Sequence, residues 1–364
     1  MLINSRRLDY RGYLFLLALG GLLPFSAFNM VVLLILLIRV SMSLSSKHAV
    51  KFDNKFFILF FSFSIIVLVF TYHIIVGEFR YVWIFRYSFL LLSIYIIITQ
   101  RVVFYVNNLS LVAVVTSLYL FSDIYQLGTG SALFLNGQNR TYGLSLERIV
   151  FSNFVIVFCF LLILLYESEN KINSIRKYFF TNGLKLLCFV HVFLSGSRSF
   201  ILVLLLLSFF KRWRTSSIVV RAFIIVSMIL TFIILQNVNQ RFATIFDTSF
   251  GSNYSRLMFI NHGVDLWKDN FYFGAGPGRS IDYLNSIVSE NMPAMHFDTL
   301  LVLSELGMLG GIVFLSQFYL LRNGKNLVMM AVLFFLTLQN SLYYTAYILV
   351  IIIAIESLRY EKNG

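Results

Sequence analysis

The sequence predicts an all-α protein: a polytopic transmembrane helix bundle of about twelve spans, forming one integral membrane domain over residues 1–364. Of the 364 residues, 59% are hydrophobic and only 12% are charged, about half the charged share of a soluble domain. Only three prolines interrupt the chain, which permits long unbroken helices. Apolar runs recur throughout the chain, and many are close to the length of roughly 20 residues that a helix needs to span a bilayer. This composition excludes a soluble enzyme, a disordered protein and a nucleic-acid-binding domain.

The candidate spans follow from apolar runs bounded by polar or charged residues. Residues 12–44 fit either one long tilted helix or two helices, and Gly20, Gly21 and Pro24 favour a hairpin. A cleaved signal peptide is disfavoured, because the apolar run resumes directly after a poor cleavage site at residues 25–27. The twelve segments are 12–24, 27–44, 55–76, 81–99, 102–121, 147–166, 181–195, 199–211, 217–236, 297–321, 326–339 and 341–358.

The basic residues predict that both termini lie in the cytoplasm. With the N-terminus inside and twelve spans threaded, 20 of the 29 Lys and Arg residues fall on the cytoplasmic side. Cytoplasmic loops of membrane proteins carry such an excess, so the net charge of +13 indicates orientation and not nucleic acid binding. The inverted topology would place Lys211, Arg212 and Arg214 outside, against this rule.

Two predicted outer loops, residues 122–146 and 237–296, hold most of the chain outside the membrane. In the larger loop, residues 253–268 carry apolar side chains at helical spacing, which predicts an amphipathic helix along the membrane surface. A glycine turn follows at residues 273–278, where backbone N–H groups could approach an anion. Chemistry is therefore expected on the outer side.

The basic residues outside the cytoplasmic set are biased towards arginine. Arginine holds phosphate with a planar two-pronged donor and stays charged, so the bias favours a phosphate site, although chance could produce it in so small a set. The nine residues are Arg80, Arg86, Arg140, Arg148, Arg198, Arg241, Arg256, Lys268 and Arg279.

Arg198, Arg256 and His296 each allow a functional and a structural interpretation from the residues alone, and for Arg256 the structural one is an ordinary surface arginine on a polar helix face. Arg198, at the outer end of two apolar runs, is either a phosphate ligand or a side chain that snorkels to lipid headgroups. His296 lies just before a span and is either a proton acceptor near neutral pH or an interfacial histidine without a role.

Two further residues are open to a functional or a structural interpretation. Glu305 is an intramembrane carboxylate, which indicates function or a buried partner. His191 lies four and seven residues before Ser195 and Arg198, so the three share a helix face; it is either a second proton-handling group or a packed histidine.

The sequence predicts no cofactor and no metal. Walker A, Rossmann and zinc spacings are absent, and both cysteines lie in apolar runs. A site with Arg and His but no pair of carboxylates suits attack by a hydroxyl group on a diphosphate-linked substrate. Histidine would take the proton, and arginine would replace a divalent ion at the leaving group.

Four segments, in this order, resemble the O-antigen polymerase and O-antigen ligase superfamily of bacterial inner-membrane glycosyltransferases. The resemblance covers about residues 180–320, while the first half of the chain is similar only in hydropathy. The segments are Ser195–Arg198, Tyr254–Arg256, Phe273–Gly278, and His296 with Gly307 and Gly310.

The resemblance implies a metal-independent enzyme of the C-type glycosyltransferase fold whose donor glycan is carried on undecaprenyl diphosphate. The family's two diphosphate-contacting arginines would fall on Arg198 and Arg256, and its loop histidine, the base for the acceptor hydroxyl, on His296. Secondary candidates for phosphate, sugar or proton contacts are Arg140, Arg241, Arg279 and Glu305.

The resemblance leaves two branches with different acceptors. Polymerases transfer the glycan to another lipid-linked repeat unit, and ligases transfer it to lipid A–core. Ligases tend to carry Asn, Ser or Gln after the loop histidine, whereas Phe297 stands here. The polymerase is therefore favoured, although the glycine spacing that follows the histidine in ligases is kept. A flippase or other transporter is less favoured, because the charges lie at the outer loops and not along mid-membrane helices.

The expected partners are undecaprenyl-diphosphate-linked oligosaccharide, as donor and acceptor, and membrane lipids. A chain-length regulator and a flippase are further candidates, and nucleic acid is not expected. The expected location is the bacterial inner membrane, with several passes, both termini in the cytoplasm and the active site on the periplasmic face.

Overall fold

The structure, a computed structural model, is mostly helical over the residues that it describes. These are residues 6–20, 54–85, 87–88, 94, 102–135, 138–141, 143–144, 149–170, 174–215, 251–287, 298–321 and 345–360. The helices are α1 (Tyr10–Gly20), α2 (Asn54–Val76), α3 (Ser110–Thr129), α4 (Ile149–Glu169), α5 (Ile175–Leu194), α6 (Arg198–Thr215), α7 (Gly251–Asp269), α8 (Arg279–Ile287), α9 (Asp298–Leu321) and α10 (Thr345–Tyr360). The strands are β1 (Arg6–Asp9), β2 (Val102–Tyr105), β3 (Leu133–Leu135) and β4 (Gln138–Arg140).

Helix α4 forms the centre of the first group of helices. Every residue from Phe154 to Leu165 is buried, and α4 contacts α1, α3, α5, α6 and α10. A helix that is apolar on all faces must be surrounded by other helices or by lipid, because water would contact its apolar side chains otherwise. The neighbouring helices therefore pack around α4.

The second group is built on α9. Helix α9 packs against α2 and α7, and the short helix α8 contacts both α7 and α9. This group holds the glycine turn at residues 273–278, between α7 and α8.

Three of the described helices are long and apolar enough to cross a membrane: Ser110–Thr129, Ser152–Glu169 and Asp298–Ser316. Two shorter apolar helices, Phe60–Val76 and Ser199–Ser208, accompany them. The expected spans at 27–44, 217–236 and 326–339 lie outside the described residues, so the total of about twelve stays a prediction.

The all-α prediction was incomplete near residue 102. Val102–Tyr105 is a strand that pairs in parallel with Arg6–Asp9, with Arg6 opposite Val102, and the helix begins only at Ser110. Two β-branched residues followed by two aromatic residues favour a strand, and the polar turn at 107–108 separates it from the helix.

Helix α3 also ends later than the span predicted at 102–121. Helix α3 continues to Thr129, so the predicted loop at 122–146 begins with helical turns. Within that segment β3 and β4 form an antiparallel pair, with Leu133 opposite Arg140.

The predicted helix at 253–268 is present as α7, and of the apolar residues whose spacing predicted it, Val264 packs against the core. Phe259 and Leu266 are buried, whereas Leu257 and Ile260 are exposed at 43% and 40%. The helix therefore has one apolar side against its neighbours and a second one available to lipid.

Candidate active site

Helix α9 is broken at Gly307, where φ is 66° and ψ is −164°. In an unbroken helix the N–H groups of residues 308 and 309 would bond to the carbonyls of Ser304 and Glu305, four residues earlier. The break frees these four backbone groups inside an apolar helix. Buried backbone polar groups need partners, and a bilayer offers no water to supply them.

The segment between α7 and α8 supplies all four partners. Residues 271 and 272 accept from the freed N–H groups, and residues 275 and 276 donate to the freed carbonyls. The bonds are Met308 N–H to Phe271 O at 2.8 Å, Leu309 N–H to Tyr272 O at 3.3 Å, Ala275 N–H to Ser304 O at 2.8 Å and Gly276 N–H to Glu305 O at 3.0 Å. We call this four-bond junction the splice.

The splice requires glycine on both sides. A Cβ atom at Gly274 would lie 2.3 Å from the backbone carbon of Glu305, and one at Gly307 would lie 2.3 Å from the carbonyl oxygen of Tyr272. Both glycines also have positive φ, 77° and 66°, which side chains rarely adopt. Two of the segments that carry the family resemblance therefore contact each other directly.

The side chain of Glu305 is buried beneath the same turn. Tyr87 Oη donates to Glu305 Oε2 at 3.0 Å, and Ser280 Oγ donates to Oε1. The backbone N–H groups of Gly278 and Ser280, at the start of α8, also bond to the carboxylate. The protein's own carboxylate thus occupies the anion-binding end of the glycine turn.

Arg279 follows the turn and is paired with carboxylates. Its guanidinium lies 2.5 Å from Glu78 and 3.4 Å from Asp282, and Arg80 also pairs with Asp282. These four side chains connect the end of α2 to the start of α8. They are part-exposed, so each pair stabilises the fold little by itself.

A second polar region surrounds the turn between α5 and α6. Helix α5 ends in a Schellman motif: the N–H of Gly196 donates to Phe193 O at 2.9 Å and that of Ser197 to Val192 O at 3.4 Å. The N–H of Ile201 then donates to Ser197 O, so α6 begins directly after Ser197. This turn places Arg198 at the first position of α6, where the helix dipole favours an anion.

Buried side chains hold this turn against the neighbouring helices. Ser195 Oγ donates to Asn153 Oδ1 on α4 at 3.0 Å. His191 Nδ1 donates to Asp123 Oδ2 on α3 at 2.6 Å, and neither of these two side chains is exposed. The prediction that His191, Ser195 and Arg198 share one helix face is wrong for Arg198, because the turn at Gly196 ends α5 and places Arg198 on the next helix.

Arg140 is brought to the same region by the backbone. It is the last residue of β4, and the N–H of the next residue, Thr141, donates to Leu194 O at 3.4 Å. The strand that carries Arg140 therefore meets the end of α5, four residues before Arg198.

The other predicted site residues are placed only in part. Arg256 lies on α7, and its side chain, like those of Arg140 and Arg198, is outside the described part of the chain. Arg241 and His296 lie outside the described residues altogether. The roles predicted for these arginines and for His296 stay predictions.

Residues 183–315 match the family model described as O-antigen ligase. This segment belongs to the O-antigen ligase and polymerase superfamily. No curated protein matches the chain. The match confirms the resemblance seen in the sequence, because all four segments that carried it lie inside the matched range.

The match over residues 183–315 indicates a membrane-associated protein of glycosyltransferase type, and the family suggests lipid-linked glycans as substrates. The matched range contains the α5–α6 turn, helix α7, the glycine turn and the broken helix α9. The splice explains in physical terms why the superfamily segments at 273–278 and 307 occur together.

Asp123 and Tyr87 are the main site residues that the sequence interpretation missed. Asp123 is an acidic residue within an otherwise apolar helix, and the rule that singled out Glu305 as an intramembrane carboxylate applies equally to it. Tyr87 had no signal, because its contact with Glu305 joins residues 218 positions apart.

We expect Gly274→Ala to destabilise the protein by roughly 2–4 kcal/mol, since it adds positive-φ strain to a steric clash. The measurement is the midpoint of thermal unfolding in detergent. Gly128→Ala is the matched control, because that glycine is helical and a Cβ there would meet nothing within 4 Å. A midpoint for Gly274→Ala equal to that of the control would contradict the splice.

Proposed function

We propose that the protein is an integral membrane polysaccharide polymerase. It transfers a growing glycan from undecaprenyl diphosphate to the non-reducing sugar of a lipid-linked repeat unit at the periplasmic face of the inner membrane. The observation that carries the proposal is the superfamily match over residues 183–315, which contains Arg198 at the start of a helix.

Arg198 and Arg256 bind the donor diphosphate in this proposal. The support is positional: Arg198 begins α6, so a phosphate bound there would meet the guanidinium and the helix N-terminus together. Arg256 lies in the second family segment, on α7, which packs against the broken helix α9. Arg140 and Arg241 are further candidates for phosphate or sugar contacts.

Arg279 suits a phosphate less well than the first two arginines. Its charge is shared with Glu78 and Asp282, so a phosphate would have to displace a carboxylate. In this proposal Arg279 has a structural role: its ion pairs connect the segment at residues 77–80 to α8.

His296 is the proton acceptor in the proposed reaction. It takes the proton of the acceptor hydroxyl while that oxygen attacks the anomeric carbon, and the diphosphate leaves with the bonding electron pair, which the arginines stabilise. Glu305 is the weaker alternative, since its carboxylate is buried and already accepts hydrogen bonds at both oxygens.

Transfer to lipid A–core is the second candidate function, because the matching family model is described as O-antigen ligase. The presence of Phe297, where ligases tend to carry a polar residue, supports the polymerase. A transporter fits less well, because the predicted topology places the candidate arginines in the outer loops and not along mid-membrane helices.

The first prediction concerns the diphosphate. Arg198→Lys and Arg256→Lys should each lower the transfer rate about 10- to 100-fold. Lysine keeps the positive charge but loses the second prong of the guanidinium, and one charge-assisted hydrogen bond contributes about 1.5–3 kcal/mol. The measurement is the rate of polymer formation by purified protein. The control is Arg176→Lys, at the exposed far end of α5. Normal rates in both site variants would show that only positive charge is needed there.

The second prediction concerns the base. His296→Ala should lower the turnover by about 10²–10⁴-fold and leave donor affinity nearly unchanged, since the arginines hold the diphosphate. His262→Ala, in the same outer region on α7, is the control. Single-turnover rates at saturating donor check this. If His296→Ala turns over normally while His191→Ala or Glu305→Gln abolishes turnover, the base is assigned to the wrong residue.

A further inference from the structure

The buried pair of Asp123 and His191 has no role in the proposed reaction. Both side chains are fully buried, and the imidazole packs edge-on against Tyr119, with ring centroids 5.5 Å apart. The pair joins helix α3 to the last turn of α5.

The pair is a poor source of stability. Asp123 Oδ1 and His191 Nε2 have no hydrogen-bond partner among the described residues. Buried polar atoms without partners cost free energy, and a buried ion pair is often no more stabilising than apolar side chains of the same shape. What such a pair contributes in some proteins is one defined arrangement of the elements that it joins.

The elements joined here all border the turn that leads to Arg198. The backbone at Gly143 packs against the His191 ring, where an added Cβ would lie 3.1 Å from Cε1. Gln126 and Ser122, on the same helix as Asp123, both donate to the carbonyl of Gly143, at 2.6 Å and 2.8 Å. The segment that follows Arg140 is thereby fixed between α3 and α5.

The turn itself begins one helical turn after His191. The carbonyl of His191 accepts the N–H of Ser195 at 2.9 Å, and Ser195 Oγ bonds to Asn153. Three residues later α6 begins with Arg198.

We propose that Asp123 and His191 are positioning residues, which hold the α5–α6 turn so that Arg198 meets the donor diphosphate. The inference rests on the proposed function, because it assumes that Arg198 binds diphosphate. Neither residue touches substrate; both act through the placement of Arg198.

The main test is the double variant Asp123→Leu with His191→Phe. Both polar partners are replaced by apolar groups of similar shape, so the protein should insert and unfold at or above the wild-type temperature. The KM for the lipid-linked donor should rise roughly 10- to 100-fold, because a small misplacement of a binding group is costly, while kcat changes little. A donor KM equal to that of the wild type would overturn the proposal.

The matched control is a second ion pair on α5, at the middle of that helix, where Lys185 Nζ lies 2.6 Å from Glu167 Oε1 on α4. Lys185→Met with Glu167→Leu should leave the donor KM unchanged. An equal rise in KM for the control would mean that any disturbance of α5 has the same effect, and would overturn the proposal.

Asp123→Asn separates positioning from proton transfer. Asparagine keeps an oxygen that accepts a hydrogen bond from His191 Nδ1. Because this bond is weakened but not lost, both the donor KM and kcat should stay within about threefold of wild type. Loss of turnover at an unchanged KM would overturn the proposal and indicate that the pair accepts a proton.

Combination with Arg198→Ala shows whether the effect passes through Arg198. With Arg198 removed, the Asp123→Leu and His191→Phe changes should raise the donor KM little further, because interacting sites are not additive. Full additivity would overturn the inference. A normal donor KM for Arg198→Ala alone would instead show that the diphosphate role in the proposed function is wrong, so the two failures can be told apart.

Discussion

The candidate site depends on the requirement that backbone polar groups freed inside an apolar helix must find partners. Gly307 breaks α9 and frees two carbonyls and two N–H groups, and residues 271–276 bond to all four. The apolar helix α9 can therefore be broken at Gly307 while each of these four backbone groups keeps a hydrogen-bond partner. Once this splice forms, the position of the glycine turn relative to α9 is fixed.

The splice also determines what surrounds it. With the turn fixed, the N-terminus of α8 faces the carboxylate of Glu305, and His73 Nε2 donates to the carbonyl of Phe273 at 2.8 Å from the other side. The turn is therefore held between α2, α8 and α9. A comparable arrangement of buried polar contacts holds the α5–α6 turn, which carries Arg198.

Helix positions could be predicted from the sequence where the apolar runs are long and bounded by charges. The span predicted at 297–321 is the helix Asp298–Leu321, and the one at 55–76 is Asn54–Val76. The strand at Val102–Tyr105 was missed because a short apolar run has no period that separates strand from helix, and its partner lies almost 100 residues earlier.

The site was predictable only as a set of residue types. Family segments and the surplus of arginine made Arg198 and Arg256 candidates, but they did not predict which contacts hold the backbone around them. The bonding of the glycine turn to its own chain was not predictable, because the same N–H groups could equally bind a substrate anion. The partnership of Asp123 with His191 was not predictable either, since it joins residues 68 apart through tertiary packing.

The most direct measurement uses purified protein in liposomes with undecaprenyl-diphosphate-linked repeat units, with lipid A–core present and with excess chelator. The account predicts a ladder of polymer on undecaprenyl diphosphate under these conditions, because arginine and not a metal stabilises the leaving diphosphate. Transfer of glycan to lipid A–core without polymer, or polymer formed only after magnesium or manganese is restored, would contradict it.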